Sequence, residues 1–472
     1  MELTVRQMVE ATGGCLCFET EESQETRESF LDACADSVVL DSRQVTEGGV
    51  FIATVGERVD GHSFVSAVYD KKALLAIVER KPGKEEHWGT YLLVKDTLQA
   101  LKDLGEYYRK SLSIPVVGIT GSVGKTSTKE FIAGVLSEKY NVLKTQGNYN
   151  NEIGVPLTLL RIRPEHQVAV IEMGISDFGE MHRLSKMARP DIAVITNIGQ
   201  CHLENLKDRD GVLRAKTEIF DFMSPEGTIC LNGDDDKLRT VTRAEGRKIL
   251  FFGTEKKESR NVYVTDRENK GLRGSSVRIH PAEGESFLAD IPLPGEHMVL
   301  NGAAAAAVGA LLGLTSEEIR SGLGKVEAVG GRNHLIYGEH FTVIDDCYNA
   351  NPVSMKAGID LLCMAETATV AILGDMFELG ENAEALHGEV GAYAAEKGVD
   401  RIICVGTLSE QMRKAAMARN PKGEVLYFPT REELLTALSE QKEAWLPEGS
   451  TVLVKASHGM KFSEVVEYLC KN

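Results

Sequence analysis

The sequence predicts an α/β protein of three domains. An N-terminal α/β domain is expected over residues 1–112 and a central domain built on a mainly parallel sheet with a phosphate-binding loop over 113–328. A C-terminal Rossmann-like domain is expected over 329–472. Three observations lead there. The chain has 472 residues, and compact domains hold roughly 150 each. Short continuous apolar runs alternate with helical patterns, as in parallel sheets covered by helices on both faces. One such run enters a glycine-rich turn and then a helix beginning Lys-Thr, the local grammar of a β–loop–α unit that binds phosphate.

The elements follow in order. Met1–Gly14 carries a short amphipathic helix pattern ending in glycines, without the charged region and long apolar core of a signal peptide. Ser37–Asp41 and Val50–Thr54 read as strands, Ser63–Lys72 and Leu98–Leu112 as helices, and Lys81–Gly89 as an exposed turn. Pro115 opens the second unit. Its strands are expected at Val116–Thr120, Val168–Glu172, Ile192–Thr196 and Thr228–Leu231, with a helix over Ser127–Leu136. Ser275–Ile291 alternates apolar and polar residues and should add a small antiparallel piece. Asn301–Leu312 reads as an alanine-rich helix made for close packing, and Gly322–Gly331 as a hinge. The third unit repeats the rhythm, with strands at Phe341–Asp345, Thr369–Leu373, Arg401–Val405, Val425–Phe428 and Val452–Lys455. It has no GxGxxG turn, so a dinucleotide cofactor is not supported. No solenoid period occurs.

Composition narrows the function. Acidic residues outnumber basic ones 70 to 53, a net charge of −17. That disfavours a nucleic-acid polymer as ligand and a polybasic membrane-surface role, while a local pocket can still bind a small anion. No run of 18 apolar residues occurs, so no membrane-spanning helix is expected. The nine cysteines are scattered and form no CxxC pattern, which suits reduced thiols in a cytoplasmic enzyme.

The strongest chemical signal is Thr120-Gly121-Ser122-Val123-Gly124-Lys125-Thr126 between a strand and a helix. Backbone N–H groups of such a loop wrap phosphate oxygens, Lys125 reaches the β- and γ-phosphates, and the Thr126 hydroxyl holds Mg²⁺. The common form places four residues between its first glycine and Gly-Lys. That position here is Ile119, and only Ser122 and Val123 separate Gly121 from Gly124. Glu172 ends a strand beside this loop, where either a metal ligand or a strand-end cap fits. His202, also after a strand end, suits a metal or phosphate contact or a solvated loop histidine. Lys216 reads as the solvated face of a helix. Asp345-Asp346 and the following polar loop suit ribose or metal contacts, or a turn in which Ser354 caps the next helix.

These segments together resemble the Mur ligases along the whole chain. TGSVGKTSTKE at 120–130 matches the family's shortened phosphate loop. Asp41-Ser42-Arg43, Gly48, Phe51-Ile52-Ala53, Gly56 and Asp60-Gly61-His62-Ser63-Phe64 match its UDP-substrate domain. Gly147–Leu157 (GNYNNEIGVPL) resembles the loop of the branch that adds D-alanyl-D-alanine. Gly295-Glu296-His297 with Asn301, Gly331-Arg332, DDCYNANPVSM at 345–355, GDMFELG at 374–380 with His387, and KASHGMK at 455–461 complete the set. Met298 stands where members often carry asparagine, and Ala456 where glycine is frequent.

The resemblance implies an ATP-dependent amide ligase of peptidoglycan precursor synthesis, monomeric and cytoplasmic. It would join D-alanyl-D-alanine to UDP-N-acetylmuramoyl-tripeptide through an acyl phosphate. It further implies that Thr126 and Glu172 bind one Mg²⁺, that His202 helps hold a second, and that Lys216 is carbamylated, which turns a cation into a metal-binding anion. Lys125, His202 and Lys216 become the expected catalytic residues. Asn301 becomes an adenine contact, Arg332 a phosphate contact and Asp346 a nucleotide contact. Ser42, Arg43, Asn148 and Asn151 become UDP-sugar-side contacts. The third domain would deliver the dipeptide and close over the acyl phosphate to exclude water. The competing readings are a related amide ligase with a different amine or acyl substrate, and a P-loop nucleotide switch, for which no NKxD motif is present.

Overall fold

The computed structural model describes residues 3–471 apart from 57, 58, 85, 243, 245, 255–260 and 420, and the side chains of 442 and 443. Met1 and Glu2 of the expected first helix, and Glu85 of the expected turn, lie outside the described residues. The architecture is α/β with three sheets, mainly parallel.

The first sheet runs, in spatial order, through Cys15–Cys17, Tyr91–Leu93, Leu75–Val78, Val50–Ile52 and Val38–Val39. Only the first pairing is antiparallel. The second has nine strands, in the order Phe287–Ile291, Ser275–His280, Val262–Asn269, Lys248–Gly253, Thr228–Asn232, Ile192–Ile195, Val116–Thr120, Val168–Glu172 and Val142–Lys144. Its three strands from Val262 to Ile291 form the expected antiparallel addition. The third sheet runs His334–Tyr337, Thr342–Asp345, Thr451–Lys455, Thr369–Gly374, Arg401–Val405 and Val425–Phe428.

Register explains the site. Val116–Thr120 lies between Val168–Glu172 and Ile192–Ile195, with Ile119 opposite Glu172 and Thr120 opposite Ile195. Three strand ends therefore deliver the glycine-rich loop, the carboxylate and the 196–204 loop to one edge. In the third sheet Leu373 lies opposite Lys455 and Asp345 opposite Val454, so the loops after three strands again share an edge.

Packing divides the molecule unevenly. The helix Thr97–Ser111 joins the first sheet to the second in one continuous apolar core. A Cβ on Gly105 would stand 2.6 Å from the Pro156 Cβ, the Tyr108 hydroxyl donates to the Ile162 carbonyl at 2.8 Å, and buried Arg109 pairs with Asp191 at 2.9 Å. The third sheet has its own apolar clusters, touched from outside by Leu272 of the 271–273 turn.

Several expectations need correction. Ser37–Asp41 contributes a strand only at Val38–Val39, and Ser63–Lys72 starts as a 3₁₀ turn over Gly61–Phe64 before the helix Val65–Asp70. The alanine-rich helix begins earlier, at Glu296. The hinge starts later, because the helix Ser316–Gly324 occupies its first residues. Asn351, not Ser354, caps the helix Pro352–Leu362. Its side chain accepts from the Ser354 N–H, and proline follows at the first helical position.

Candidate active site

The phosphate-loop geometry depends on two glycines. Gly124 sits at φ +80° as the cap of the helix Lys125–Leu136, a conformation that penalises any Cβ. A Cβ on Gly121 would lie 1.9 Å from the Thr196 Oγ1, so this turn fits only against a bare backbone. The loop is strapped to the next strand end. The Ser122 N–H donates to the Asn197 carbonyl at 3.1 Å and the Val123 N–H to the Asn197 Oδ1 at 2.9 Å. Thr196 and Asn197 side chains both donate to the Val123 carbonyl. Two of the expected phosphate-binding amides are therefore already bonded. Those of Gly124, Lys125 and Thr126 carry no hydrogen bond among the described residues, and they begin a 12-residue helix whose dipole favours an anion there. The half-buried Lys125 ammonium folds back on the Gly121 carbonyl at 2.9 Å. Burial lowers its pKa, nearby Glu172 opposes that shift, and Arg332 adds to it.

Glu172 is 1% exposed yet has no cationic partner within ion-pair distance among the described residues. Its Oε2 accepts from the Thr126 hydroxyl at 2.8 Å and its Oε1 from the Asn150 Nδ2 at 2.8 Å. A hydroxyl and a buried carboxylate in contact are the donor types that a hard cation takes. Among the described residues no three His, Cys, Asp or Glu side chains gather into a metal cluster. A cation here fits the Mg²⁺ pattern of one or two carboxylates, with water and substrate phosphates supplying the rest.

Lys216 overturns its reading as a solvated residue. It is 1% exposed, on the helix Arg209–Thr217. No carboxylate pairs with it among the described residues. Burial, with Lys125 adding to it against an opposing contribution from Cys201, pushes its pKa from 10.5 down to about 8. An amine that is partly neutral near physiological pH is nucleophilic enough to take up CO₂, so the chain's own geometry fits the carbamate that the resemblance implied. His202 lies in the same group. It adopts φ +51°, its Nδ1 pairs with Glu378 at 2.8 Å, and burial together with Lys216 and Lys125 lowers its pKa against Glu378.

Lys125, Glu172 and His202 line a cavity of about 710 Å³ that the third sheet's loops complete. Arg332 lines it with its guanidinium 3.9 Å above the Tyr348 ring and no carboxylate partner among the described residues. Asp346 lines it too, held by the buried Lys455 at 2.6 Å and by the Asn333 N–H at 3.2 Å. Asn301 accepts from the Thr128 hydroxyl at 2.9 Å and donates to the Met298 sulfur at 3.5 Å. Met298 thus touches the expected adenine contact directly. Asp345 is structural: it receives the Gly331 N–H at 2.8 Å and fixes the segment entering the third sheet.

The remaining expected residues stand at different distances from this group. Thr120, Gly121 and Thr126 support the cavity from behind its lining. Asn151 lines it but uses its Oδ1 to accept from the Ile153 and Gly154 N–H groups, and Asn148 is exposed on the preceding turn. Ser42 and Arg43 sit in a short 3₁₀ turn of the first sheet's unit, where the exposed Arg43 guanidinium pairs with Asp41 and holds its pKa down at about 2. Sequence reasoning gave no role to Asn150, Asn197, Lys455 or Glu378. Each bonds a residue that it had singled out or the phosphate loop itself.

Comparison with known proteins adds names. The family description of the Mur ligase middle domain matches residues 119–309, and that of the Mur ligase, glutamate ligase domain matches 331–458. The UDP-N-acetylmuramoyl-tripeptide–D-alanyl-D-alanine ligase of Bacillus subtilis is 36% identical over 92% of this chain and 93% of its own. That of Escherichia coli is 36% identical over 93% and 95%. A crystal structure of MurF from Acinetobacter baumannii superposes with a TM-score of 0.86 at 32% identity, covering 100% of this chain and 99% of that one. MurF from Thermotoga maritima in complex with ADP superposes at 0.79 with 29% identity, covering 92% and 97%.

Proposed function

The chain belongs to the Mur ligase family, and from that premise we propose that it is the ATP-dependent ligase joining D-alanyl-D-alanine to UDP-N-acetylmuramoyl-tripeptide in peptidoglycan precursor synthesis. One observation carries the reading. The cavity has the phosphate loop and Glu172 on one wall and the third sheet's loops on the other, which supports a nucleotide whose terminal phosphate stands where two further substrates can meet it.

The chemistry follows. A carboxylate is a poor electrophile, and an amine does not displace oxide from it in water. Transfer of the γ-phosphoryl group from ATP to a carboxylate oxygen of the tripeptide breaks the bond to ADP and forms an acyl phosphate. The dipeptide's neutral amine then attacks the acyl carbon, phosphate leaves, and the amine's extra proton is lost to solvent or phosphate. The Lys125 ammonium and the amides of Gly124, Lys125 and Thr126 stand ready for the charge that builds on the transferring oxygens. Arg332 adds a cation from the opposite side. Thr126 with Glu172, and His202 with carbamylated Lys216, are the groups that would hold two Mg²⁺ ions. When bound, Mg²⁺ supplies charge neutralisation on the phosphate oxygens. Asn150 orients Glu172, and Lys455 orients Asp346 toward the nucleotide.

We assign UDP-sugar docking to residues 1–112 through Ser42 and Arg43, with Asn148 and Asn151 continuing that surface. ATP activation falls to 113–328, with Asn301 at the adenine, and dipeptide delivery to 329–472. The cavity is completed by one chain's own segments, which supports a monomer. Nine free thiols fit a reducing cytoplasm, and among the described residues no helix is long and apolar enough to cross a membrane.

The test is direct. ATP, UDP-N-acetylmuramoyl-tripeptide and D-alanyl-D-alanine are mixed with the protein, and the product is weighed by mass spectrometry. The pentapeptide mass is expected, with phosphate release that needs both acceptors. ATP turnover without them, and no pentapeptide, would identify a nucleotide switch instead.

A further inference from the structure

The His202–Glu378 contact is not used by the chemistry above. His202, which lines the cavity, follows a strand of the second sheet, whereas Glu378 follows the strand Thr369–Gly374 of the third, so the pair links the two units beside the cavity. Both residues have left-handed backbone, at φ +51° and +61°. That region is sparsely populated for residues with a Cβ, is held only where the surroundings fix it, and recurs at functional sites. The surroundings do fix it here. The Met376 N–H donates to the buried His387 Nε2 at 2.9 Å and the Phe377 N–H to the Ser457 Oγ at 2.9 Å, which pins the loop just before Glu378. Gly380 follows at φ +63°, a turn that favours glycine, with Glu204 of the second sheet's unit nearby.

The pair is too exposed to matter much for stability: the side chains are 26% and 62% accessible, and such ion pairs contribute little. What it fixes is direction. In a neutral imidazole whose Nδ1–H donates to a carboxylate, the lone pair is on Nε2 and the ring cannot turn freely.

We propose that Glu378 is a positioning residue that reaches from the third sheet's unit to hold His202 with Nε2 as its cation-binding nitrogen, so that this metal site is complete only when the third sheet is closed on the second. The proposal rests on reading His202 as a metal-side residue. It makes closure and metal binding one event. An open molecule presents a loosely held imidazole, and a closed one presents an oriented ligand beside Lys216.

The experiment titrates Mn²⁺ by electron paramagnetic resonance in the presence of a non-hydrolysable ATP analogue. It uses the full-length wild type, Glu378→Ala, Glu378→Gln and His202→Ala, each first checked for an unchanged melting temperature. Loss of the carboxylate should weaken the His202-dependent Mn²⁺ by about 10–100-fold, the range for groups that orient a metal ligand. Glu378→Gln should recover most of that loss, because its amide oxygen accepts the same N–H. The Mg²⁺ concentration needed for half-maximal ligation should rise in parallel, with the ATP KM at saturating Mg²⁺ unchanged. If His202→Ala binds Mn²⁺ like the wild type, the metal reading of His202 falls and the proposal with it. If His202→Ala loses a site while Glu378→Ala does not, the proposal alone is overturned.

Discussion

Replacing Lys216 by methionine should make the protein more stable and inactive. Lys216 is 1% exposed and has no carboxylate partner among the described residues. Its pKa falls from 10.5 to about 8, with burial the first cause. At about 1.4 kcal/mol for each factor of ten, that drop amounts to about 3 kcal/mol of destabilisation by the charged form. The sign is set by the direction. The folded pKa lies below the unfolded one, so the unfolded chain binds the proton more tightly. The penalty is complete below pH 8 and fades as pH rises from 8 through 10.5. Methionine keeps an unbranched chain one atom shorter and removes the charge. In CO₂-free buffer at pH 7, Lys216→Met should therefore melt higher, by roughly 6–12 °C for a unit of this size, with the gap closing near pH 10.5. Differential scanning calorimetry reads this directly. Bicarbonate supplies the second arm, because a carbamate forms only on the wild type and should shift only its melting. A variant no more stable than wild type at pH 7, or a gap independent of pH, refutes the argument that the buried ammonium is uncompensated.

Three further outcomes follow from the same geometry. Lys125→Ala should not lower the melting temperature and should lower kcat by roughly 10²–10³-fold, the usual loss for one charge-stabilising donor, measured as phosphate release with both acceptors present. Asn150→Ala frees the Glu172 Oε1 and should raise the Mg²⁺ requirement by about 10–100-fold, read as nucleotide affinity with and without Mg²⁺. Lys455→Met strands the buried Asp346 carboxylate without its 2.6 Å partner and should cost about 3–5 kcal/mol. Lys455→Met combined with Asp346→Asn should recover much of that, as calorimetry would show.

The parts of the site visible in sequence are those whose meaning is local. The glycine-rich loop, Glu172 and the paired acids all follow continuous apolar runs, and such runs end at one edge of a parallel sheet. Lys216 is not legible this way, because its spacing reads as a solvated helix face. The structure shows Val212, Ala215, Lys216 and Ile219 all buried on successive turns, so the lysine sits within an apolar stripe. The supporting residues had no such cue, because their partners are distant in the chain. Asn150 and Glu172 are 22 residues apart, Asn197 and Val123 are 74 apart, and Lys455 and Asp346 are 109 apart. Strands of two or three residues, such as Val38–Val39 and Cys15–Cys17, are too short for a period to register.

The cavity's charge and the molecule's packing have one explanation. The chain carries −17 overall, yet Lys125 and Arg332 line the cavity without an ion pair to a carboxylate among the described residues, and Arg332 adds to the lowering of the Lys125 pKa that burial begins and Glu172 opposes. Lys125 belongs to the second sheet's unit and Arg332 to the segment entering the third. Their repulsion therefore acts across two units that, among the described residues, do not share a continuous apolar core. In the absence of an anion this opposes closure. A triphosphate between them converts the repulsion into two attractions, in a partly buried site where salt screens little. The bulk acidity turns away polyanions that cannot enter the cavity, while the nucleotide supplies the missing counter-charge. Closure driven in this way would keep the transferred phosphoryl group of that substrate from water. The acyl phosphate would then form between units with separate apolar cores, which could part for the dipeptide and for release of product.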